Sequence, residues 1–372
     1  MYTYHNPEST AGQFNQPKPW YWWLSGSAWT ALIDYTTYTG DPQYVTDIHT
    51  SLAANLGSNY DFVAPGQSGW EANDDQVYWV YAALSAMEYD FPALPCQQSA
   101  NNTVGNCANS WYAISVHAFE DFVRRWQIDD TTCGGGLKWQ YDPSANGWNY
   151  KNSVSNGGFF QTAARLARYS GNATYGEWAA RVWDWTVEVG LIDANYNVFD
   201  GSSDANDLNC SEINHDLWSY NVATYLHGAA NMYAYTGNNS IWENIVHGLL
   251  DSANSTFFHG FANGSGVAYE QMCEPDASCN TDQASFKGSL ANWMARTTVL
   301  VPSTQQQVMG LLKTSAQAAA RSCSGDGNGT CGLKWYVNGY DGNPGFGQEL
   351  SALDVVQSLL IGKAPTLATR QS

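Results

Sequence analysis

Positively charged residues are scarce in this chain. Only 15 of its 372 residues are Lys or Arg, against 34 Asp or Glu, which gives a formal net charge of −19. Because charged residues make up only 13% of the sequence, this acidity comes from the shortage of cations and not from acidic runs. Such a surface repels phosphate backbones and anionic lipid, so we expect no nucleic-acid partner.

Several motifs of common chemistries are also missing. The chain has no C-x-x-C pair, no H-E-x-x-H sequence, no P-loop and no G-x-S-x-G elbow, and its seven His residues are scattered. We therefore predict neither a metal site nor a cofactor. No stretch reaches the length of a transmembrane helix, and no charged and then apolar leader follows Met1. The sequence is typical of a mature or trimmed chain, attached to a membrane only through an anchor that it does not itself carry.

The eight cysteines and the glycosylation sequons favour an oxidising compartment. An even number of cysteines without a metal-binding spacing indicates disulfides, although sequence alone leaves many connectivities open. Closeness in sequence suggests three pairs and leaves a fourth: Cys96–Cys107, Cys273–Cys279, Cys323–Cys331 and Cys133–Cys210. The N-x-S/T sequons lie at Asn101, Asn172, Asn209, Asn238, Asn254, Asn263 and Asn328. Together they predict a eukaryotic glycoprotein that is secreted or held at the cell surface.

Aromatic residues are more numerous than a core of this size requires. The chain contains 17 Trp and 23 Tyr. Most of these rings are expected to pack between helices, but amphipathic rings also suit sugars, which have an apolar C–H face and a polar rim. The excess therefore favours a carbohydrate ligand.

Helix-ending signals recur along the chain. The pattern is Tyr, Thr or Ser, then Gly, followed by Asp or Asn, and it occurs at residues 38–41, 169–172 and 235–238. Gly supplies the left-handed conformation after a helix, and Asp or Asn can cap the next helix. The second and third junctions are 66 residues apart and the first and second 131 apart, close to twice that period.

This period predicts further junctions after Met87-Glu88-Tyr89, near Val301-Pro302 and near Ile361-Gly362. Six helical hairpins of constant length must bury their apolar faces against one another. The sequence thus predicts an all-α (α/α)6 barrel over residues 1–362 with a disordered polar tail at 363–372; an open solenoid is the alternative. The best strand candidate, residues 266–270, is expected to form a loop hairpin.

The adjacent carboxylates Asp74 and Asp75 are the leading catalytic candidates. They open a predicted helix with Asn73 or Asp74 as its N-cap, where the helix dipole favours an ionised Asp. Neighbouring carboxylates on a helix can lie roughly 5 to 6 Å apart, close to the ~5 to 5.5 Å of a retaining glycosidase pair. Their closeness forces their pKa values apart, as acid and nucleophile require. Helix capping alone is the competing interpretation.

Other acidic positions are weaker candidates. Asp129 and Asp130 end a helix, where a turn or salt bridge is the expected role. Asp200, and Glu212 with His215, fall in predicted loops before a helix that begins near Trp218, and Asp282 precedes another helix. Capping is the ordinary role of such residues, and substrate binding is the functional one.

At these residues the chain resembles glycoside hydrolase family 76, in its fungal cell-wall endo-α-1,6-mannosidase branch. The resemblance includes Asn73-Asp74-Asp75-Gln76 and Cys133-Gly134-Gly135-Gly136-Leu137-Lys138-Trp139. Further matching segments are residues 21–23, 31–35, 150–152, 196–201, 212–215, 279–283 and 331–335. It implies an (α/α)6 barrel and a retaining mechanism with Asp74 as nucleophile and Asp75 as general acid/base.

The same resemblance implies the substrates. Members of the fungal branch act on α-mannosides such as the core glycan of glycosylphosphatidylinositol anchors, and transfer wall mannoproteins onto β-glucan during wall biogenesis. We therefore expect an α-mannan or anchor-glycan donor and a β-glucan acceptor. The expected substrate-binding residues are Trp22, Trp23, Trp70, Asn73, Trp139, Asp200, Asn214, His215 and Asp282. A mannan-binding wall protein with little catalysis and an inverting glucanase are the alternatives.

Overall fold

The computed structural model describes residues 12–14, 21–63, 71–95, 107–129, 131–259, 266–325 and 327–370. These residues contain eleven α-helices, three short 3₁₀ segments and one small sheet. The helices are α1 Trp22–Thr39, α2 Val45–Ala54, α3 Asn73–Glu88, α4 Trp111–Asp129, α5 Ser153–Ser170, α6 Ala173–Glu188, α7 Ser219–Tyr235, α8 Ser240–Phe257, α9 Gln283–Leu300, α10 Gln305–Ser322 and α11 Phe346–Gln357. The strands are β1 Tyr150–Asn152, β2 Phe199–Ser203 and β3 Ile213–Leu217.

The odd-numbered helices form a closed inner ring. Each of α1, α3, α5, α7, α9 and α11 contacts the next, and α11 contacts α1. These helices are buried on almost all sides, whereas the even-numbered helices bury one face and form the outer layer,. The closure confirms the predicted α/α barrel, because the ends of an open solenoid would not meet. In the described residues, five helices form the outer layer. The last inner helix, α11, is followed by a 3₁₀ segment, Ser358–Lys363, and not by a sixth outer α-helix.

Small residues allow the inner helices to approach closely. A Cβ on Gly158 of α5 would lie 2.5 Å from Cγ1 of Val77 on α3, and a Cβ on Gly157 would lie 2.7 Å from Cε2 of Tyr225 on α7. Neither position accommodates a side chain unless the neighbouring side chains shift,. Both glycines therefore set the spacing of three inner helices.

Two of the predicted junctions follow the expected chemistry at their helix ends. Gly40 and Gly171 both have left-handed backbones, with φ of 74° and 69°, and their N–H groups bind carbonyls of the preceding helix. Asn172 caps α6 by accepting a hydrogen bond from the Thr174 N–H. Asp41, in contrast, accepts from the Gln43 N–H within the turn, and the cap position of α2 is four residues away from Gly40, so the predicted cap at Asp41 is wrong.

The remaining junctions lie close to their predicted positions. The third is displaced by one residue, because Asn239 rather than Asn238 caps α8. Helix α3 ends at Glu88 and α9 ends at Leu300, which confirms the predicted boundaries there.

All six inner helices run in the same direction. At one end of the barrel, Trp23 of α1 packs on Tyr78 of α3, with ring centroids 4.5 Å apart. At the other end, the Tyr38 and Tyr89 hydroxyls of the same two chain segments lie 3.0 Å apart. The N-termini of the inner helices therefore converge at one end, where their dipoles favour negative charge.

A three-stranded antiparallel sheet lies beside that end. Strand β2 is central and pairs with β1 and β3. The loop assignment of Asp200 and of residues 213–215 is therefore wrong, since these residues belong to β2 and β3. Residues 266–270 form no strand, but they fold back on the end of α8 as the predicted loop hairpin requires, with the Gly266 N–H bound to Phe258 O and the Tyr269 N–H to Phe257 O.

The opposite end of the barrel is closed by buried ion pairs. Glu88 accepts from Arg165 at 2.7 Å and from Arg168 at 2.9 Å, and Arg296 pairs with Asp34. Burial alone would raise the pKa of Glu88, but the charges of Arg165 and Arg168 outweigh it and hold this pKa well below its ordinary value,. Glu88 therefore stays ionised inside the barrel.

The C-terminal residues cover this closed end. The Ala368 N–H donates to the Glu88 carbonyl at 2.8 Å, and the Arg370 N–H donates to the Tyr169 carbonyl at 2.7 Å. The Arg370 guanidinium also lies 4.6 Å from the centre of the Tyr112 ring. The prediction of a disordered tail is therefore wrong for residues 364–370, because this segment supplies donors to carbonyls at the ends of α3 and α5.

Three of the four predicted disulfides are confirmed, namely Cys133–Cys210, Cys273–Cys279 and Cys323–Cys331. The fourth includes Cys96, which lies outside the described residues, as do Trp70, Asp130 and the sequons at Asn101 and Asn263. Within the described part of the chain, every helix is too short or too polar to cross a membrane.

Candidate active site

The first turn of α3 carries the Asp doublet. Ala72 is the extended N-cap residue, and the Asp75 carboxylate accepts a hydrogen bond from the Ala72 N–H at 2.8 Å. The prediction of Asn73 or Asp74 as N-cap is therefore wrong. The Asn73 side chain is engaged elsewhere, since it donates to the Lys138 carbonyl at 2.8 Å and accepts from Arg125 at 2.9 Å.

The two carboxylates differ in their donors. Asp74 accepts from the Asp75 N–H at 3.1 Å and from Nδ2 of Asn152 at 3.4 Å. Burial, with the Asp75 charge, raises the pKa of Asp74 well above its ordinary value. Burial also raises the pKa of Asp75 to about 7, and the charge of Asp282 adds to this. Burial and mutual repulsion therefore make it unfavourable for both carboxyls to be ionised together, so the pair tends to hold one proton between them,.

The doublet faces a cavity of about 260 Å³ at the N-terminal end of the inner ring. Three carboxylates and six aromatic or phenolic rings contribute to its lining. The lining residues are Tyr21, Trp23, Ala72, Asp74, Asp75, Tyr78, Trp139, Gln140, Tyr220, Asp282 and Phe286. Rings with polar edges around carboxylates form a surface suited to a sugar. We call this space the catalytic cavity.

Asp282 is the third carboxylate of the catalytic cavity. It immediately precedes α9 but makes no capping hydrogen bond with its side chain. Instead it accepts from Nε1 of Trp23 at 2.9 Å. Burial raises the pKa of Asp282 to about 6. Helix capping, the alternative role for this residue, does not account for its position.

Aromatic pairs fix the walls of the catalytic cavity. Tyr220 at the start of α7 stacks on Phe286 of α9, with centroids 3.9 Å apart and planes 4° apart. Trp23 packs against Tyr78, which lies one turn after Asp74 on α3. These contacts hold the walls rigid across four inner helices.

The structure brings together five of the predicted site residues, Trp23, Asp74, Asp75, Trp139 and Asp282, in the catalytic cavity. Trp22 lies behind its wall, where it stacks on Trp79 at 4.9 Å and donates to Oδ1 of Asn55. Asn73 supports the helix start, as described above. Trp70 is outside the described residues.

The remaining predicted residues lie on the neighbouring sheet. The Tyr150 hydroxyl donates to Asp200 at 2.7 Å, and Nδ2 of Asn214 lies 3.4 Å from the same carboxylate. His215 is exposed and packs edge-on against Phe199 at 4.3 Å. Asp200 and Asn214 thus form a polar pair on the sheet, His215 is engaged separately, and none of the three lines the catalytic cavity.

Sequence reasoning did not select Asn152, Tyr78 or Tyr220. Tyr78 follows Asp74 by four residues, so helical periodicity would have placed it on the same face. Asn152 precedes α5 and caps it by accepting from the Ser155 N–H. Its second contact, with Asp74, joins positions 78 residues apart, and no local pattern reports such a contact. Within the described residues, no group of three or more His, Cys, Asp or Glu side chains could hold a metal ion.

Known proteins share this architecture. The sequence profile of glycosyl hydrolase family 76 matches residues 1–371. The mannan endo-1,6-α-mannosidase DCW1 of Candida albicans is 42% identical over 354 residues, 93% of this chain and 74% of that protein. The DCW1 protein of Saccharomyces cerevisiae is 39% identical over 358 residues, 95% of this chain and 75% of that protein.

Solved structures have the same fold. Dfg5 from Chaetomium thermophilum, crystallised with glucosamine, superposes with a TM-score of 0.86 at 35% identity, covering 98% of this chain and 85% of that one. A second structure is an inactive variant of the Salegentibacter α-1,6-mannanase GH76A, in which two consecutive Asp are changed to Asn and α-1,6-mannotriose is bound. It superposes with a TM-score of 0.73 at 19% identity, covering 96% of this chain and 95% of that one. The chain therefore belongs to glycosyl hydrolase family 76.

Proposed function

We propose that this protein is a retaining endo-α-1,6-mannosidase that also transfers glycosyl groups. The observation that carries the proposal is the pair of adjacent carboxyls, Asp74 and Asp75, in an aromatic-walled cavity. Two such groups supply the acid and the nucleophile of glycoside cleavage. The names of the relatives support α-1,6-mannan as the substrate class.

In this mechanism Asp74 is the nucleophile and Asp75 the general acid/base. Asp75 protonates the glycosidic oxygen while the Asp74 carboxylate attacks the anomeric carbon, and the leaving sugar departs. Asp75 then takes a proton from the incoming hydroxyl, which attacks the same carbon and releases Asp74. A pKa of about 7 suits the acid that becomes the base,. The donors to Asp74 and the dipole of α3 favour its ionised form and oppose the effect of burial,.

We further propose a transglycosidase role at the cell surface. The donor is α-mannan or the mannose core of a glycosylphosphatidylinositol anchor, and the acceptor is β-glucan of a fungal wall. A sugar hydroxyl can replace water in the second step, because both enter at the same place. Disulfides support an extracellular location,.

The first prediction concerns Asp74. We expect Asp74→Asn to lower kcat on α-1,6-mannooligosaccharides by roughly 10³-fold or more, because the nucleophile is removed. Asp184→Asn is the matched control, since it removes one exposed carboxylate on the outer helix α6 and should leave kcat unchanged. Normal turnover by Asp74→Asn would refute the assignment.

Product analysis tests the other parts of the proposal. NMR of the first product should show retained anomeric configuration, and inversion would contradict the two-step mechanism. Mass spectrometry with and without a β-glucan oligosaccharide should detect a mixed product only when the acceptor is present. Binding without any product in either reaction would favour the mannan-binding alternative.

A further inference from the structure

A second cavity of about 260 Å³ adjoins the catalytic cavity. Gln140 lines both cavities, and the start of α3 separates them, with Ala72 on one side and Asn73 on the other. Ala72 and Gln140 are joined by a β-bridge, so the dividing wall is backbone. The other residues that line this adjoining cavity include Arg124, Arg125, Tyr141 and Trp148. We call this space the second cavity.

One loop supplies a Trp ring to each cavity. Trp139 lines the catalytic cavity and Trp148 lines the second. Gly147 lies against the Trp139 ring with φ of 90°, and a Cβ there would lie 2.6 Å from Trp139 Cζ3. Lys138 lies 4.8 Å from the Trp148 ring centre and is itself held by Asp204 at 2.5 Å. Each Trp ring is thus held by another residue of the same loop.

The far wall of the second cavity is connected to the catalytic helix. Arg125 donates to Oδ1 of Asn73 at 2.9 Å and to Oε1 of Gln76 at 2.6 Å. Its guanidinium lies 4.0 Å from the centre of the Tyr141 ring, whose hydroxyl donates to the same Gln76 oxygen at 3.0 Å. These side chains are already ordered by the protein, so a ligand would pay little entropy to meet them.

The charges of the second cavity favour a neutral ligand over an anion. Arg124 pairs with Asp121 at 2.8 Å, and Arg125 lies 3.6 Å from the other oxygen of the same carboxylate. Asp129 also lines the cavity. The cations are therefore offset by carboxylates, and what remains is an aromatic face with planar polar groups around it. That combination matches a pyranose.

We propose that the second cavity is a saccharide subsite, which binds a further pyranose unit while the catalytic cavity holds the reacting mannose. This inference rests on the proposed function for the identity of the sugar. The pyranose belongs either to the same α-1,6-mannan chain or to the acceptor glycan. Its stacking partner is Trp148.

The test is calorimetric titration of the inactive Asp74→Asn protein. α-1,6-Mannooligosaccharides of two to five units form one arm and a β-glucan oligosaccharide forms the other. We expect Trp148→Ala to weaken binding of the longer ligands or of the glucan by roughly tenfold, with the mannobiose affinity unchanged. Trp148→Phe should restore most of the loss, because it keeps an aromatic face.

Trp242→Ala is the matched control. Trp242 lies on α8, packs on Phe160 and Trp183 and lines neither cavity, so its loss should affect no ligand. A loss that grows with mannan length assigns the subsite to the donor chain, and a loss confined to glucan assigns it to the acceptor.

Unchanged affinities for both ligand series in Trp148→Ala would overturn the subsite. Normal turnover by Asp74→Asn would instead refute the proposed catalytic role while leaving any length dependence of binding intact. The two failures are therefore distinguishable.

Discussion

The side chain of Asn152 serves two structures at once. Its Nδ2 donates to Asp74, and its Oδ1 accepts from the Ser155 N–H at the start of α5. The first contact stabilises the ionised form of the proposed nucleophile, and the second caps a helix of the inner ring. Substitutions that separate these roles are available, since Asp caps a helix as well as Asn does.

We predict that Asn152→Asp shifts the acid limb of the kcat/KM profile to higher pH by about one unit or more. The new carboxylate removes the donor and adds a like charge, which raises the pKa of Asp74. Because the nucleophile must be ionised, activity is lost at the low-pH side first. The cap of α5 is retained, so any fall in the melting temperature comes from the added buried carboxylate and should be largest at high pH, where that carboxylate is ionised,.

Asn152→Ser provides the comparison for this pH profile. Ser keeps a capping oxygen but has neither the reach to Asp74 nor a charge, so its acid limb should lie between wild type and Asn152→Asp. An unshifted limb in Asn152→Asp would show that this contact does not affect the nucleophile.

For individual residues, the sequence predicts the Asp doublet well and the side chains around it poorly. Asp74 and Asp75 are adjacent, so their closeness is covalent and needs no knowledge of the fold. Asp282 was predicted from its place before a helix, and it reaches the cavity because α9 belongs to the inner ring. Asp200 has the same local signal, yet it lies on β2 with Tyr150, because strand pairing depends on distant residues.

Among the elements, α3 carries carboxyl groups at both ends, and their pKa values are shifted in opposite directions. Its first turn holds two carboxyls with raised pKa values, and its last residue, Glu88, is kept ionised by Arg165 and Arg168. The first end faces a cavity where protons are exchanged, and the other is enclosed. The neighbouring guanidinium groups of Arg165 and Arg168 therefore keep Glu88 permanently ionised in a structural ion pair, whereas the carboxyls of the first turn can exchange protons.

We predict that Glu88→Gln lowers the free energy of unfolding by about 3 to 5 kcal/mol, because it leaves buried guanidinium charges without their carboxylate. Urea denaturation at pH 7 measures the loss. The difference from wild type should narrow as the pH falls below about 4, where the unfolded chain binds a proton at Glu88 and the folded protein does not.

The exposed pair between Arg124 and Asp121 is the control for this measurement. Arg124 is 61% exposed, so Arg124→Gln should cost less than about 1 kcal/mol,. A similarly small loss in Glu88→Gln would mean that the buried cluster contributes specificity and not stability.

Helix ends were predictable where a single residue type determines them. Gly40 and Gly171 need left-handed backbones, and few other residues adopt them,. N-caps were less predictable, because Asp41 and Asn239 both have a suitable side chain but only the latter occupies the cap. The start of α3 has Ala72 as its cap because the Asn73 amide is bound to the Lys138 carbonyl, a contact across 65 residues.

For the whole molecule, the periodic junctions predicted the barrel, and ring closure confirms it. Closure depends on contacts between the first and last inner helices, such as Nε2 of Gln357 donating to the Ala31 carbonyl at 3.1 Å. The path of the chain after α11 was not predictable from composition. Residues 364–370 look like a polar tail, but they bind backbone carbonyls that only the folded barrel brings together.

We predict that deleting residues 364–372 lowers the free energy of unfolding by roughly 1 to 3 kcal/mol, because the carbonyls of Glu88 and Tyr169 lose their donors,. The value of kcat should not change, since the catalytic cavity is at the other end of the inner helices. Thermal denaturation and initial rates measure the two effects.

Arg370→Ala separates the two contributions of this segment. It removes the contact with the Tyr112 ring and keeps the backbone hydrogen bonds, so it should cost less than the deletion. A deletion that lowers kcat while the melting temperature is unchanged would contradict the separation of the two ends.

The common direction of the inner helices divides the connecting segments into two groups. The chain leaves an inner helix through short connections, such as residues 171–172, 236–239 and 301–304, and enters the next through long ones, such as residues 189–218, 258–282 and 323–345. Within the described residues, the long connections lie at the catalytic end, where Trp139, Gln140 and Asp282 line the catalytic cavity beside residues of the inner helices. Ligand preference can therefore be redesigned, or can diverge, through the long connections while the short connections and the closed end of the barrel are preserved.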